Sequence, residues 1–283
     1  MPGTIAFQGE LGSYSHQASV EAYPDHSALP CTTFEDALTA VRRGDADLGM
    51  IAVENSTYGR VADVHRLLPE SGLHVIGEAF IRVRIALMAR AGVPLDAIER
   101  VRAHLVLLPQ CAAFLRANGI TPHPAADSAG AAAELAQSDK VDEGVLASVL
   151  AADTYGLNVL ARDIEDHGHN TTRFLVMARD PQRPALGAGP TKTTFVFQVR
   201  NIPAALYKAM GGFATNGINM TKLESYMVDG RFTATQFYAD VEGHPDDPAL
   251  ARALEELEFF TSSLRIFGVY PADPDHFEGG GAA

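Results

Sequence analysis

Positive charge is scarce in this chain. Twenty-two Lys and Arg stand against 35 Asp and Glu, a formal net charge of −13, and the cations form no cluster. That argues against nucleic acid and against anionic membrane surfaces as partners, since both are held by grouped cations. An anionic ligand would need its own local donors set against this field. Cysteine is nearly absent: Cys31 and Cys111 lie far apart and form no CxxC pair. This excludes a disulfide framework and suits buried thiols in a reducing cytoplasm. No window approaches the roughly eighteen apolar residues of a membrane helix, and nothing at Met1 resembles a signal peptide. Dinucleotide-type glycine spacing is missing, and His167 and His169 have no third partner at metal-ligand spacing. The 283 residues still suffice for a well-buried core and two domains.

What is present reads as alternating strands and helices. Thr4-Ile5-Ala6-Phe7 is a short buried strand, broken by Gln8-Gly9-Glu10-Leu11-Gly12 before a helix over 13–23. The helix starts with Ser13, Tyr14, Ser15 and His16. A glycine-bearing loop that opens a hydroxyl-rich helix is a ready anion site, because the first helical N–H groups lack internal partners. His16 reads as a capping or packing residue. Residues 34–43 are amphipathic, with Gly44 as the stop. The apolar run 48–53 is a strand buried on both faces, and Glu54-Asn55-Ser56-Thr57 follows its carboxyl end, where open α/β sheets place ligands. A helix cap is the plainer use of Asn55 or Ser56, and both uses are compatible.

Strands are expected at 75–80 and 83–89, and a helix over 105–115 that carries Gln110, a polar group needing partners. A small-residue helix start at Asp127-Ser128-Ala129-Gly130, a strand at 144–148 and a short helix at 151–156 follow. This grammar predicts a largely parallel sheet with helices on both faces. It ends in a polar segment, 163–169, and then Asn170-Thr171-Thr172-Arg173-Phe174. Amide, hydroxyls and guanidinium side by side suit an anionic small molecule, and equally a loop that satisfies the backbone before a buried strand.

Residues 181–191 are rich in Pro and Gly and form the one convincing linker. Beyond it, strands at 193–199, 218–227, 231–241 and 264–270 alternate with helices opened by Pro203 and Asp247-Pro248. Asp229-Gly230 is a hairpin turn. The order βαββαβ is the ferredoxin-like split unit. The tail, 273–283, reads as disordered.

Taken in order, Phe7-Gln8-Gly9-Glu10 with Gly12 and Tyr14-Ser15-His16, Glu54-Asn55-Ser56 with Gly59, Tyr155-Gly156-Leu157, and Asn170-Thr171-Thr172-Arg173-Phe174 resemble the prephenate dehydratases. The block Gly217-Ile218-Asn219-Met220-Thr221-Lys222-Leu223-Glu224-Ser225 is similar to the ACT domain that usually follows. The likeness covers about residues 4–272. It implies an α/β, bilobal catalytic domain similar to periplasmic binding proteins over 1–180, with a second lobe at roughly 82–155 and an ACT domain over 192–272. It further implies a cleft in which prephenate loses carbon dioxide and water to give phenylpyruvate with no cofactor and no metal, in a cytoplasmic homodimer or homotetramer joined through the ACT domain.

By the same resemblance Thr172, Asn55 and Gln110 are the catalytic candidates, with Ser15, Ser56, Thr171, Arg173 and Phe174 as substrate-binding candidates. Thr172 is the group expected at the leaving hydroxyl, acting by positioning and hydrogen bonding. Arg173 has a structural alternative. L-Phenylalanine is the implied effector, at Ala204, Ala205, Leu206, Asn219, Met220, Glu224 and Ser225, with the backbone at Ala205 and Leu206 and the Asn219 amide as donors. The chain departs from the family at Ala103, commonly a Ser, at Ala204, usually a Gly, and at Tyr226-Met227, usually Arg-Pro. The methyl of Ala204 is tolerable in its turn if φ there is negative. The start is too close to the catalytic domain for a fused chorismate mutase. Arogenate as substrate and a non-catalytic amino-acid sensor are the alternatives.

Overall fold

The structure is a computed structural model that describes residues 3–227 and 234–276. The expected turn at Asp229-Gly230 and the tail beyond His276 lie outside those residues. Two compact units are present: the chain up to Val61 with Phe80–Phe174, and Ala62–Ala79 with the chain from Leu175 on.

The first unit opens with β1 (Thr4–Gln8), α1 (Tyr14–Ala22), β2 (Ser27–Cys31), α2 (Phe34–Arg43), β3 (Leu48–Asn55) and the two-residue β4 (Gly59–Arg60). β1 lies between β2 and β3 and runs parallel to both. Ile5, Phe7, Met50 and Ile51 fill the core of this first lobe. α2 keeps the bounds its sequence sets. Thr33 and Asp36 form a reciprocal capping box, and Gly44 closes the helix at φ 87°.

After α3 (Ala62–Leu67) and β5 (His74–Arg82) comes the second lobe. It contains β6 (Ala86–Ala89), β7 (Arg100–His104), α4 (Ala112–Ala117), β8 (Thr121–Ala125), α5 (Ser128–Ala136), β9 (Glu143–Ala147), α6 (Val149–Tyr155) and β10 (Asn158–Ala161). The sheet order is β10–β6–β9–β7–β8. β7 is parallel to β8 and β9, but β6 is antiparallel to β9 and β10. The largely parallel sheet expected here is therefore mixed. β6 follows β5 with no helix between them, and only a long crossover obliges neighbouring strands to run parallel. The strand expected from 83 begins only at Ala86, because 83–85 is a crossing segment whose backbone bonds elsewhere: Val83 N donates to Asn170 O at 2.8 Å and Ile85 N to Glu165 Oε2 at 2.9 Å. The helix expected over 105–115 is a 3-10 turn, Leu108–Cys111, followed by α4. Pro109 lacks the N–H that a continuous helix through 105 would require.

β11 (Thr171–Ala178) comes back beside β3. Beyond it lie β12 (Thr191–Val199), α7 (Ala205–Thr215), β13 (Met220–Met227), β14 (Ala234–Glu242), α8 (Pro248–Phe260) and β15 (Thr261–Pro271). Their sheet order, β13–β14–β12–β15, is antiparallel throughout. This is the ferredoxin-like βαββαβ arrangement. Alternation along β12 turns Phe195, Phe197 and Val199 onto α7 and α8, where they meet Phe213, Leu250 and Leu257.

Within this second unit, Lys192 Nζ pairs with Glu78 Oε1 at 2.9 Å, both side chains buried. Asp273 N donates to the same Glu78 oxygen at 3.0 Å, and Pro274–His276 forms a 3-10 turn. Residues 273–276 are thus tied down, contrary to the expected disorder from 273 onward. Ala204 differs from expectation as well. It stands at φ 60°, in the left-handed region, with no side-chain cap for α7. The turn has kept the conformation a glycine favours and accepts the strain of a Cβ there.

Candidate active site

The two lobes of the first unit meet around a cavity of about 250 Å3. On one side it is lined by the loop after β1 and the first turn of α1, with Ala52, Thr172 and Phe174. On the other stand His104, Leu107, residues 126–129, Ala147 and Ser148. Neither Lys nor Arg is among the lining residues.

The loop after β1 can be tight because Gly9 and Gly12 adopt φ 114° and 84°. At Gly12 a Cβ would fall 2.6 Å from Ala151 Cα, so only glycine lets this loop approach α6. Ser148 Oγ donates to Gly12 O at 2.6 Å and Tyr155 OH to Leu11 O at 2.8 Å, which clasps the first lobe to the second. Tyr14 reaches the same way, its OH donating to Arg84 O at 2.8 Å. Burial drives the Tyr14 pKa far up, followed by the charges of Cys111 and Glu165, so the phenol stays a neutral donor.

Ser13 caps α1 by accepting from His16 N at 3.2 Å. His16 in turn accepts from Gly12 N at its Nδ1, at 2.9 Å, and stacks on Phe7 with centroids 5.5 Å apart. Burial lowers its pKa. His16 is therefore a neutral ring whose acceptor nitrogen is already used, a capping and packing residue as its position suggested. Across the cavity, Asp127 caps α5 by accepting from Gly130 N at 2.6 Å, and Ser128 Oγ accepts from His104 N at 2.9 Å. The N-terminal turns of α1 and α5, each nine residues long, thus both border the cavity. Their N–H groups and dipoles supply positive potential without a charged side chain.

Thr172 enters the cavity from β11 and rests on a line of amides. Asn55 Nδ2 donates to Thr172 Oγ1 at 3.0 Å and to Asn170 Oδ1 at 2.6 Å. Asn170 Nδ2 donates to Gln110 Oε1 at 2.5 Å, and Gln110 Nε2 to Val106 O at 2.8 Å. The orientation of Asn55 is fixed because its Oδ1 accepts from Thr57 N and Tyr58 N, both at 3.0 Å, and backbone nitrogens can only donate. With its oxygen accepting from Asn55, the Thr172 hydroxyl has its own proton to give.

Of the eight substrate-site positions the sequence suggested, Ser15, Thr172 and Phe174 line the cavity. Asn55 and Gln110 do not line it and belong to the support of Thr172. Ser56 and Thr171 stitch β3 to β11: Ser56 Oγ accepts from Thr171 N at 2.9 Å and donates to His169 O at 3.0 Å. Arg173 takes its structural alternative. It is 5% exposed, pairs with Glu54 Oε1 at 2.9 Å and lies 6.0 Å over the Phe80 ring. Strand alternation puts it on the face opposite Thr172 and Phe174, so it does not reach the cavity. Ala103 is fully buried in the second lobe's core, so its missing hydroxyl leaves no gap in the cavity wall.

Asn170 as a bridge, and Asp127, Ser128 and Ser148 at the cavity, were not foreseen, whereas Tyr14 stood in the helix start read as an anion site. The one sequence signal for them is a small or capping residue at each strand-to-helix turn. Cys111 is buried, with its thiol pushed up to about 12 by burial and by Asp166 and Glu165, and is no nucleophile. Among the described residues there is no group of three or more His, Cys, Asp or Glu placed to hold a metal, and no helix is long and apolar enough to cross a membrane.

In the second unit two of the expected effector donors are already engaged. Ala205 N donates to Ile202 O at 3.2 Å, and Asn219 Nδ2 to Glu242 Oε2 at 3.0 Å. Ala205 N is thereby removed as a free donor.

Fold and cavity together define a bilobal α/β domain whose cleft is lined by no Lys or Arg, followed by a ferredoxin-like module. A profile of the family described as prephenate dehydratase matches residues 5–182. The chain belongs to the prephenate dehydratase family, which makes it a carbon–oxygen lyase. It is 48% identical to the bifunctional N-acyl-homoserine lactone acylase/prephenate dehydratase of Komagataeibacter europaeus, over 95% of this chain and 96% of that protein. Arogenate dehydratase 2 of Petunia hybrida is 38% identical over 95% of this chain and 72% of its own length. The solved prephenate dehydratase of Arthrobacter aurescens, in complex with L-Phe, superposes with a TM-score of 0.86 at 31% identity, covering 95% of this chain and 89% of that one.

Proposed function

We propose that this chain converts prephenate to phenylpyruvate at the cavity around Thr172. The observation that carries this reading is the Thr172 hydroxyl, which lines the cavity and accepts from Asn55, leaving its own proton to donate. In the reaction the bond from the ring to its carboxylate breaks and carbon dioxide leaves. The electron pair enters the ring, the C4–O bond breaks, and the departing hydroxide takes up a proton to become water. Aromatisation drives the process, so the protein's work is to hold a dicarboxylate and stabilise the leaving oxygen. The N-terminal turns of α1 and α5 and the Ser15 hydroxyl meet the carboxylates, and Thr172 meets the leaving hydroxyl. Thr172 acts by hydrogen bonding along the developing charge, and the net proton comes from solvent.

Prephenate is favoured over arogenate because arogenate carries an ammonium. The one carboxylate lining the cavity, Asp127, is committed to Gly130 N at 2.6 Å. Assays on both substrates side by side test this. Faster turnover of arogenate would reverse the assignment. The acylase half of the Komagataeibacter relative's name is not extended to this chain.

The βαββαβ module we read as an ACT domain that pairs copies of the chain in the cytoplasm and binds L-phenylalanine near Ala204–Leu206 and Asn219–Met220, with Glu224 and Ser225 beyond. The Asn219–Glu242 pair can reorganise, its amide turning to a ligand carboxylate while Glu242 takes the ammonium. Calorimetry is expected to detect L-phenylalanine binding to the intact protein, with slower prephenate turnover when it binds. Asn219→Ala should weaken binding about tenfold, the loss of one charge-assisted hydrogen bond. Neither heat nor inhibition at millimolar ligand would end the regulatory reading and leave the dehydratase untouched.

A further inference from the structure

We propose that Tyr58 is a positioning residue that closes a hydrogen-bonded ring around the support of Thr172; this rests on the reading of the cavity as the dehydratase site. Tyr58 sits in the β3–β4 hairpin of the first lobe and is 45% exposed, the profile of an ordinary surface residue. Two contacts set it apart. Its backbone N donates to Asn55 Oδ1 at 3.0 Å, and its phenol OH donates to Val106 O, in the second lobe, at 2.8 Å. Val106 O is also the end of the amide line, where Gln110 Nε2 arrives at 2.8 Å.

From Tyr58 N the bonds therefore run through Asn55, Asn170 and Gln110 to Val106 O, every amide donating in the same sense. The phenol then joins Val106 back to Tyr58. Asn170 and Gln110 could by themselves be turned end for end, whereas Asn55 is already held by Thr57 N and Tyr58 N. The ring forbids it, because a backbone N–H begins the line and a backbone carbonyl ends it. With Asn55 so held, its N–H goes to Thr172 and leaves the hydroxyl its own proton to donate, and the part of the phenol is to hold Val106, where the line ends. Aligned dipoles also strengthen one another along such a line. Val106 precedes Leu107, which lines the cavity, so the same phenol tethers the cavity's second wall to the first lobe. A hydrogen-bonded tyrosine with a purely structural role would share none of this coupling to Gln110.

The test compares the wild-type protein, Tyr58→Phe, Gln110→Ala and the double variant by steady-state kinetics on prephenate, together with amide hydrogen exchange over residues 104–111. Tyr58→Phe keeps the ring packing and removes only the hydroxyl. Its kcat is expected to fall about tenfold with KM within about twofold, the signature of a misplaced group and not of lost binding. In the Gln110→Ala background, where the ring is already open, the same change should cost little more. Exchange over 104–111 should quicken in Tyr58→Phe. Wild-type kcat in Tyr58→Phe, a rise in KM alone, or a full multiplicative loss on top of Gln110→Ala would overturn the proposal. Should the wild type fail to turn over prephenate, the functional reading falls, and exchange alone decides: faster exchange supports the ring, unchanged exchange removes it.

Discussion

Thr172→Ala is expected to lower kcat on prephenate by about 10²–10³-fold, the usual cost of deleting one preorganised donor at a developing negative charge. KM should change little, because the helix starts and Ser15, proposed to meet the carboxylates, are untouched. The protein should remain folded. Thr172 is half-buried at the end of a strand, and its removal leaves one Asn55 N–H beside the cavity. Thr172→Ser supplies the control: it keeps the hydroxyl and the bond from Asn55, and activity should recover to within about tenfold of wild type, the residual loss reflecting a looser rotamer without the branched methyl. An alanine variant with wild-type kcat would take Thr172 out of the mechanism.

Asn55→Asp should be at least as damaging, although it changes the shape of the side chain hardly at all. One carboxylate oxygen can keep the bonds from Thr57 N and Tyr58 N. The other replaces a donor by an acceptor, 2.6 Å from Asn170 Oδ1 and 3.0 Å from Thr172 Oγ1. If Asn170 flips to donate, its oxygen meets Gln110 Oε1. If Gln110 then flips, its oxygen meets Val106 O. The conflict has no exit within the ring. Thr172 would instead turn its proton onto the new carboxylate and away from the cavity. A negative charge would also stand beside an anionic substrate. We expect kcat down by about 10²-fold or more, KM raised, and a lower Tm from the unsatisfied buried amides. Wild-type kinetics in Asn55→Asp would mean that the amide line does not govern Thr172.

Much of the fold was legible because its signals are local. The bounds of α2 follow from Thr33, Asp36 and Gly44, which act within a few residues of the helix ends. The order of the βαββαβ module follows from the alternation of Phe195, Phe197 and Val199 and the proline-led helix starts. What was illegible depends on distant parts of the chain. Residues 83–85 carry a strand-like sequence but cross between lobes, the N–H groups of Val83 and Ile85 taken by Asn170 and Glu165. Pro109 broke an apolar stretch that otherwise reads as helix. The orientation of β6 depends on which edge it enters, which periodicity does not encode.

The site divides in the same way. Thr172, Phe174 and Ser15 were named as site residues through the family resemblance, and all three line the cavity. Arg173 had two readings, and alternation along β11, which puts it opposite Thr172, agrees with the structural one. The ring could not be read at all. Asn55 and Asn170 are 115 residues apart and Gln110 and Asn170 are 60 apart, and Tyr58 contributes through a carbonyl whose residue type is irrelevant. At Ala204 the backbone kept a left-handed turn in spite of a side chain that disfavours it, which sequence alone would place at negative φ.

The account stands most directly on turnover of prephenate by the purified, intact chain in buffer containing a strong chelator and no added cofactor, with carbon dioxide and phenylpyruvate both quantified. The prediction is that the two products appear in equal amounts, at a rate proportional to enzyme, with the chelator without effect. Absence of turnover, or turnover that begins only when a metal ion is restored, would contradict it.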